Sequence, residues 1–496
     1  MRIAVPNIKH ASCFLFPFFS SLIPLISHIP LIPLIPLIPL ISPPSSLLSH
    51  KHYICPPNKI TLNKKLVHTT HTFHIEPGFR EQLAAFASRY EEFALLDSCG
   101  NTAYGAPNFD YLLACAPVAV HVHPVGDSLA AGDVVSRLPQ GDWLFGYVGY
   151  EFNANTEAIF PPEKKLFDTP PLRFFVPGIV IQVKGAIATL HLHPELCESA
   201  ENIHQQIRAS IPVDVPNDTI RLQPLVSASD YVETVEKIRQ HIIDGDIYEL
   251  NYCQPFVAEQ VDIDPLSVYN RLCEVSQAPF SVLYRFGEQY LMCASPERFF
   301  SFDGKRMSSM PIKGTRKRAS DPAADEALRH ALANSEKDRA EHVMIVDLVR
   351  NDLTPLAEPG TIKVDALYGI YAFPQVFQMV STISAQLREG ADLRKAMIQA
   401  FPMGSMTGAP KVRAMQLAAT YEPYQRGMYS GTFGYFTPEG TCDFNVVIRS
   451  LLYNANTQLL AAYAGGAIVY DSEPEKELEE CYVKLSGIMR ALTKAQ

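Results

Sequence analysis

Apolar and polar positions along this chain follow two periods, and the change from one to the other marks most of the predicted elements. Residues 143 to 150 and 174 to 183 are short apolar runs rich in aromatic and β-branched side chains, and they read as strands. Residues 247 to 257, 289 to 294, 433 to 436 and 459 to 463 have the same character. Helical spacing, with apolar positions three and four apart, runs through 80 to 93, 229 to 244, 321 to 349, 393 to 400, 411 to 421 and 475 to 491. Residues 211 to 224 carry prolines between these runs and read as a linker. The mixture is an α+β pattern without an internal repeat.

Residues 21 to 42 obey neither period. Their Leu-Ile-Pro repeat sets a proline at nearly every third position, which removes backbone donors and clashes with a helical path, so the stretch is no regular transmembrane helix. It is long for a signal segment and shows no clear small-residue cleavage site. After Met1 the next methionine is Met292, and a reading frame extended upstream of its natural start is the preferred account of this leader. Residues 1 to 70 are therefore left out of the fold. An N-terminal region, 71 to 224, and a C-terminal region, 225 to 496, remain.

The composition, 47% apolar and 19% charged with a formal net charge of −10, is that of a globular protein. Its acidic balance gives nucleic acid no basic footprint, so small molecules or other proteins are the partners to expect. Ten cysteines are scattered without a CxxC pair or a zinc-type spacing. That usage argues for a reducing, cytoplasmic setting and against a disulfide scaffold.

Candidate chemistry gathers in the C-terminal region. Asp338 and Glu341 stand three apart on one predicted helix and Glu477 and Glu480 on another, with Lys484 one turn further on. Singly, each pair reads as a solvated face; two converging helices would offer four hard-oxygen donors of the kind Mg²⁺ takes while keeping several waters. Lys313, in Pro311-Ile312-Lys313-Gly314-Thr315, offers an amine nucleophile. The GSMTGAP loop runs into a helix whose first residue reads as Pro410, setting Thr407 and Lys411 beside a terminus suited to anions. Glu297 and Lys313 flank a hairpin with its turn at Asp303-Gly304. An ideal two-residue turn would pair Lys313 with Ala294 and send Glu297 to the opposite face, unless Pro296 and Pro311 break that register.

Six segments in one order resemble the chorismate-utilising enzymes: GDIYELNYCQPF at 245 to 256, SPERFF at 295 to 300, PIKGTRKR at 311 to 318, KDRAEHVMIVDLVRNDL at 337 to 353, GSMTGAPKVRAM at 404 to 415 and AGGAIVYDS at 464 to 472. FALLDS at 93 to 98 and LFGYVGYE at 144 to 151 are similar to that family's first domain. The PIKGT run resembles aminodeoxychorismate synthase component I, whereas the sister family, anthranilate synthase component I, carries alanine at the lysine position. The resemblance implies two β-sheets in a sandwich with helices packed outside. It implies Glu341 and Glu480 as direct Mg²⁺ ligands, with Asp338 and Glu477 as outer acids holding metal-bound waters. Tyr429 and Arg449 match residues that hold the substrate's side-chain carboxylate, Gly465 and Gly466 allow backbone amides to come close, and Thr407, Lys411 and Lys484 complete the substrate set. Ser98 matches a position that contacts tryptophan in relatives, although a plain strand end would explain it equally.

The implied reaction uses chorismate and ammonia. Lys313 attacks C2, the C4 hydroxyl leaves, and ammonia then attacks C4 and expels the lysine, with Glu297 moving protons, on the route to p-aminobenzoate and folate. The amine must be partly deprotonated, by burial or by the charge of Arg316, Lys317 and Arg318. No cysteine sits in an amidotransferase-type nucleophile motif, so a separate glutaminase subunit is the expected ammonia source. Two positions depart from the family pattern: Gln378 stands where histidine is usual, and Glu249 where glutamine is usual. Gln378 can donate a hydrogen bond but is no acid or base near neutral pH. The rival readings are anthranilate synthase component I, which Lys313 opposes; isochorismate or salicylate synthases, which use water and carry lysine at position 249; and a non-catalytic chorismate-binding subunit.

A chain beginning at His68 is expected to remain soluble and to turn over normally, because the Leu-Ile-Pro repeat has no means of joining a packed core. Loss of solubility or activity in that shortened chain would place the leader inside the folded structure.

Overall fold

In the computed structural model the described residues are 68–101, 105–123, 131–153, 159–212 and 218–493, and all lie in one compact unit. The leader, apart from its last three residues, lies outside them. The first described strand, Thr69–His74, begins inside residues 1 to 70 and pairs with Ile187–Leu192.

Two long strands organise the rest. Tyr111–His123 and Leu172–Lys184 run antiparallel, and the beginning of Leu172–Lys184 pairs also with Leu144–Val148, so two sheets diverge from it. The first continues from Tyr111–His123 through Glu92–Asp97, Phe280–Phe286, Gln289–Ser295, Ser450–Asn454 and Leu459–Ile468 to Glu249–Ala258. The second continues from Leu144–Val148 through Thr432–Phe436, Cys442–Asn445, Arg298–Phe302 and Arg306–Met310 to Val376–Gln386. Val376–Gln386 also pairs with Ile312–Lys317 and with Lys363–Ala372. Every one of these pairings is antiparallel.

Side-chain alternation turns these sheets into layers. Leu291, Cys293, Ala461 and Tyr463 of the first sheet join Phe145, Phe300, Phe433, Phe444 and Ile383 of the second in one buried cluster. Their neighbours Met292, Ala294, Ala462 and Ala464 point the other way, into a cluster with helix residues Phe86, Ile203, Ile238, Leu272 and Leu485. A period of two sends successive residues to opposite faces, so a strand apolar at every position is one covered on both sides. The result is a sandwich with helices packed outside, as the resemblance implies.

Two helices depart clearly from their expected spans, and a third differs in its cap. The helix expected over 80 to 93 is Phe79–Ala87, because Glu92–Asp97 is claimed as a strand paired on both edges. The one expected over 321 to 349 divides into Pro322–Ala333 and Glu336–Leu353, where the Ser335 hydroxyl caps the second helix by accepting the Asp338 N–H at 3.3 Å. Pro410 caps Lys411–Tyr421 rather than opening it. Seven thiols are free among the described residues. No helix of the described residues is long and apolar enough to cross a membrane.

One buried cation ties several segments together. Arg426, 1% exposed, gives two bonds to the Glu422 carboxylate at 2.8 and 2.6 Å, and donates to the carbonyls of Met406 and Asn251, each at 2.7 Å. Glu422 also accepts the Cys253 N–H at 2.9 Å, and the Glu151 carboxylate accepts the N–H groups of Arg426 and Gly427 at 2.6 and 3.1 Å. Removing one partner of a buried pair leaves the other charge uncompensated. Arg426→Ala is expected to cost about 3–5 kcal/mol in chemical unfolding, whereas breaking the exposed Arg329–Glu326 pair should cost less than about 1 kcal/mol. Equal losses would show that the buried pair holds nothing together.

Candidate active site

The sharp departure from regular strand geometry lies at Lys313. Ile312 pairs with Val380 and Thr315 with Gln378, so three steps on one strand face two on the other, and Lys313-Gly314 form a bulge. Gly314 has φ +97°, a left-handed conformation that favours glycine, and a Cβ there would come within 3.4 Å of Asp338. The bulge aims Lys313 between two elements. Its Nζ lies 3.1 Å from Glu249 Oε1 and 3.7 Å from Glu341 Oε2.

The hairpin before it explains how Glu297 reaches the same pocket. Phe302 pairs with Met307, so the turn holds four residues instead of two, and the Asp303 carboxylate accepts the N–H groups of Lys305 and Arg306 at 2.9 and 2.7 Å. After Pro311 the chain leaves this hairpin and pairs with Val376–Gln386. Glu297 is 4% exposed, and its Oε1 accepts the Ser405 hydroxyl at 2.7 Å. Burial pushes its carboxyl up to about 7, against the opposing pull of Ser405, the Ile312 N–H and the Lys313 charge.

The carboxylates stand where the helix spacing puts them, and Asp338, Glu341 and Glu480 each face a cation. Arg316 Nη2 is 2.6 Å from Asp338, and Lys484 Nζ is 2.6 Å from Glu480 and donates to the Gly465 carbonyl at 2.7 Å. Gly466 makes room: a Cβ on it would meet Glu477 Oε2 at 3.0 Å and Glu480 Oε1 at 3.3 Å. Burial raises the carboxyls of Glu341 and Glu477 above the usual range; it would do the same to Glu480, but the Lys484 ammonium holds that group below it. These are hard-oxygen donors of the kind a divalent cation takes. The one set of three ligand atoms mutually within 4.8 Å among the described residues is elsewhere, at Asp97, Cys99 and Cys273.

Other expected residues are placed as follows. Arg449 has φ +53° and donates to the Lys484 carbonyl at 2.9 Å, and buried Tyr429 stacks on Tyr463 with ring centroids 5.1 Å apart. Gly465 is demanded by packing, since a Cβ would sit 2.0 Å from the Tyr252 carbonyl. The Thr407 hydroxyl donates to the Met403 and Gly404 carbonyls at 3.2 and 3.3 Å, and Lys411 pairs with Asp352 at 2.7 Å, so in this state both are engaged within the protein. Buried Ser98 follows a strand end, where its N–H donates to the Asp110 carbonyl at 2.9 Å.

The expected cationic activation of Lys313 is not what surrounds it. Arg316 is held by Asp338, Arg318 by Asp325 at 2.6 Å, and Lys317 is exposed. Burial alone would make the amine less basic, but Glu249, Glu341 and Glu480 outweigh it and raise Lys313 above the ordinary lysine value. Two residues missed by sequence reasoning support the site. Ser405, inside GSMTG, orients Glu297, and His342, next to Glu341, sits fully buried with Nδ1 2.9 Å from the Lys313 carbonyl and Nε2 2.7 Å from the Ser381 hydroxyl. A histidine on the apolar face of a predicted helix was the only available signal.

The family model of chorismate binding enzymes matches residues 118–490. The chain belongs to that family. It is 43% identical over 267 residues to the aminodeoxychorismate synthase of Streptomyces griseus, covering 53% of this chain and 36% of that protein. It is 32% identical over 362 residues to anthranilate synthase component 1 of Thermus thermophilus, covering 71% of this chain and 78% of that one. Among solved structures, anthranilate synthase component I of Streptococcus pneumoniae superposes with a TM-score of 0.67 at 25% identity, over 78% of this chain and 93% of that one. The chain thus spans little more than a third of the length of the Streptomyces relative.

The charge state of Glu297 is directly testable. A carboxyl raised to about 7 binds its proton more tightly folded than unfolded, so its contribution to stability is lost as pH rises from about 4.5 through 7. Glu297→Gln is expected to raise stability at pH 8 by up to about 3 kcal/mol while changing it little at pH 5. Equal effects at both pH values in thermal or urea unfolding would refute the raised carboxyl.

Proposed function

We propose that this chain is the chorismate-aminating part of a 4-amino-4-deoxychorismate synthase, working through a covalent Lys313 intermediate. The observation that carries the reading is Lys313 itself, turned by a bulge into a largely buried pocket with Glu249 at 3.1 Å, Glu341 at 3.7 Å and Glu297 within electrostatic reach. A residue with only a structural duty would not need an amine placed among three carboxylates.

Glu341 and Glu480 would hold Mg²⁺ directly, with Asp338 and Glu477 acting through water. Bound there, the ion would supply positive charge to the ring carboxylate of chorismate and lessen the pull of Glu341 and Glu480 on the Lys313 proton. Arg449 and Tyr429 would orient the side-chain carboxylate. The free amine of Lys313 attacks C2, the ring double bonds shift, and Glu297 gives its proton to the departing C4 hydroxyl, which leaves as water. A carboxyl poised near 7 is suited to giving a proton and taking it back at neutral pH. Ammonia then enters at C4 and Lys313 leaves. A separate glutaminase subunit is the proposed ammonia source, and the cytoplasm the proposed location.

The anthranilate synthase reading draws on the Thermus and Streptococcus similarities, and it differs in dispensing with the lysine. Chorismate with Mg²⁺ and without ammonia should load the protein with a mass of chorismate minus one water, mapped to Lys313. Lys313→Ala should lose the adduct and most amination at C4, and Lys313→Arg should do no better, because a guanidinium stays protonated. An unmodified protein under rapid quench, together with a fully active alanine variant forming anthranilate, would establish the rival reaction.

A further inference from the structure

Apart from the residues around Lys313, Asp97, Cys99 and Cys273 bring a carboxylate oxygen and two thiol sulfurs within 4.8 Å of one another. Asp97 ends strand Glu92–Asp97, Cys99 follows in the next turn, and Cys273 lies in the last turn of helix Pro265–Ser276. The two cysteines are remote in sequence, so no spacing announces them. Tyr269, one turn before Cys273 on the same helix, adds a second observation. It is fully buried, and its hydroxyl has no hydrogen-bond partner among the described residues. Burial pushes that hydroxyl well above its usual value, and Cys273, Asp97 and Cys99 push it further, so it stands in the field of all three. A buried hydroxyl without a partner is costly, and a ligand held by this cluster would remove that cost.

We propose that Asp97, Cys99 and Cys273 bind a thiophilic divalent cation of the zinc class, with a water in the fourth position that donates to the Tyr269 hydroxyl oxygen. Two sulfurs and one oxygen are donors that zinc takes, whereas Mg²⁺ takes oxygens alone. A tetrahedral ion about 2.3 Å from each sulfur sets the two sulfurs about 3.8 Å apart, so the thiols need move by no more than about 1 Å. The charges balance as well. Two thiolates and the Asp97 carboxylate carry three negative charges, against which Arg80, 2.5 Å from Asp97 Oδ2, sets one positive charge and the ion two. Asp97 Oδ2 accepts from Arg80 and Oδ1 from the Cys99 N–H at 2.6 Å, which leaves each oxygen a lone pair for the ion. Those two bonds orient the carboxylate as outer partners orient a metal ligand. On binding, two S–H bonds give way to two sulfur–metal bonds, both protons pass to solvent, and nothing is oxidised or reduced. The ion fastens the end of the strand to the helix, beside Arg80, which donates to Asn270 Oδ1 at 3.0 Å, and Asn101, whose side-chain amide donates to the Gln277 carbonyl at 3.2 Å.

The test titrates the full chain, reduced and stripped of metal, with Co²⁺ as the spectroscopic probe and Zn²⁺ as the competitor. A thiolate-to-cobalt charge-transfer band that saturates at one ion per chain is expected, and Zn²⁺ should abolish it; carboxylates such as those around Lys313 cannot produce that band. Cys99→Ser and Cys273→Ser should lose it, and Tyr269→Phe should weaken cobalt binding about tenfold, the scale of a partner to a metal-bound group. Thermal unfolding without metal shows that each variant is folded. A further measurement needs no variant: zinc at ten times its Kd or above should slow alkylation of the part-exposed Cys99 by about tenfold or more. Absence of the band in folded wild type at millimolar cobalt overturns the proposal, as does a band that survives Cys273→Ser. Equal alkylation of Cys99 with and without zinc overturns it too, and a Cys99–Cys273 disulfide found in its place would assign the pair to redox chemistry instead.

Discussion

The site rests on a buried guanidinium. Arg426 can lie at 1% exposure only while Glu422 and the carbonyls of Met406 and Asn251 remain around it, because the cost of taking a charge out of water is several kcal/mol and is offset solely by well-placed partners. Met406 belongs to the loop that supplies Ser405, and Asn251 follows Glu249 by two residues in the same strand. Glu151, accepting the Arg426 and Gly427 N–H groups, brings the N-terminal region into the same arrangement. One wall of the pocket is therefore fixed by an interaction that contains no reacting group. Its rigidity is what allows Glu249 and Ser405 to face Lys313 and Glu297 without adjustment.

The opposite wall is built differently. Lys313 stands between Glu249 and Glu341, Lys484 against Glu480, and Arg316 against Asp338. With three cations facing four carboxylates, this wall carries no spare positive charge before anything binds, so an anionic ligand would have to arrive with compensating charge or displace an internal pair. That explains why the amine stands protonated here: among carboxylates, an ammonium is the favoured form. In the proposed reaction, nucleophilicity is therefore a property of the loaded site.

Much of this was legible in the sequence, and the limits follow from the physics. Helical spacing put Asp338 with Glu341 and Glu477 with Glu480 on common faces, since side-chain direction in a helix is set by residue number alone. The meeting of Glu297 and Lys313 was not legible, because it depends on a four-residue turn and a bulge, each of which shifts register by whole residues. The split at Ser335 was missed because the apolar spacing runs across it, although the serine that caps the second helix was present in the sequence. The cations at 316 to 318 misled for a related reason. Closeness in sequence does not decide which charge a side chain meets, and acids on neighbouring helices claimed two of the three. Arg426 carried no signal at all, since burial of an arginine is decided by distant partners.

His342 shows how the remaining acid–base question resolves. The Tyr368 N–H donates to the Ser381 hydroxyl at 3.1 Å, and that hydroxyl meets His342 Nε2 at 2.7 Å. A carbonyl can only accept, so His342 Nδ1 carries the proton that bonds to the Lys313 carbonyl at 2.9 Å, which leaves Nε2 to accept from the serine. Burial lowers its basicity further and keeps the ring neutral. Both nitrogens are thus committed to backbone and hydroxyl partners, and the ring braces the bulge that aims Lys313. With Gln378 unable to titrate and His342 occupied as a brace, a carboxyl is left to move protons in the proposed reaction, and Glu297, pushed up to about 7 and bonded to Ser405, is suited to that task.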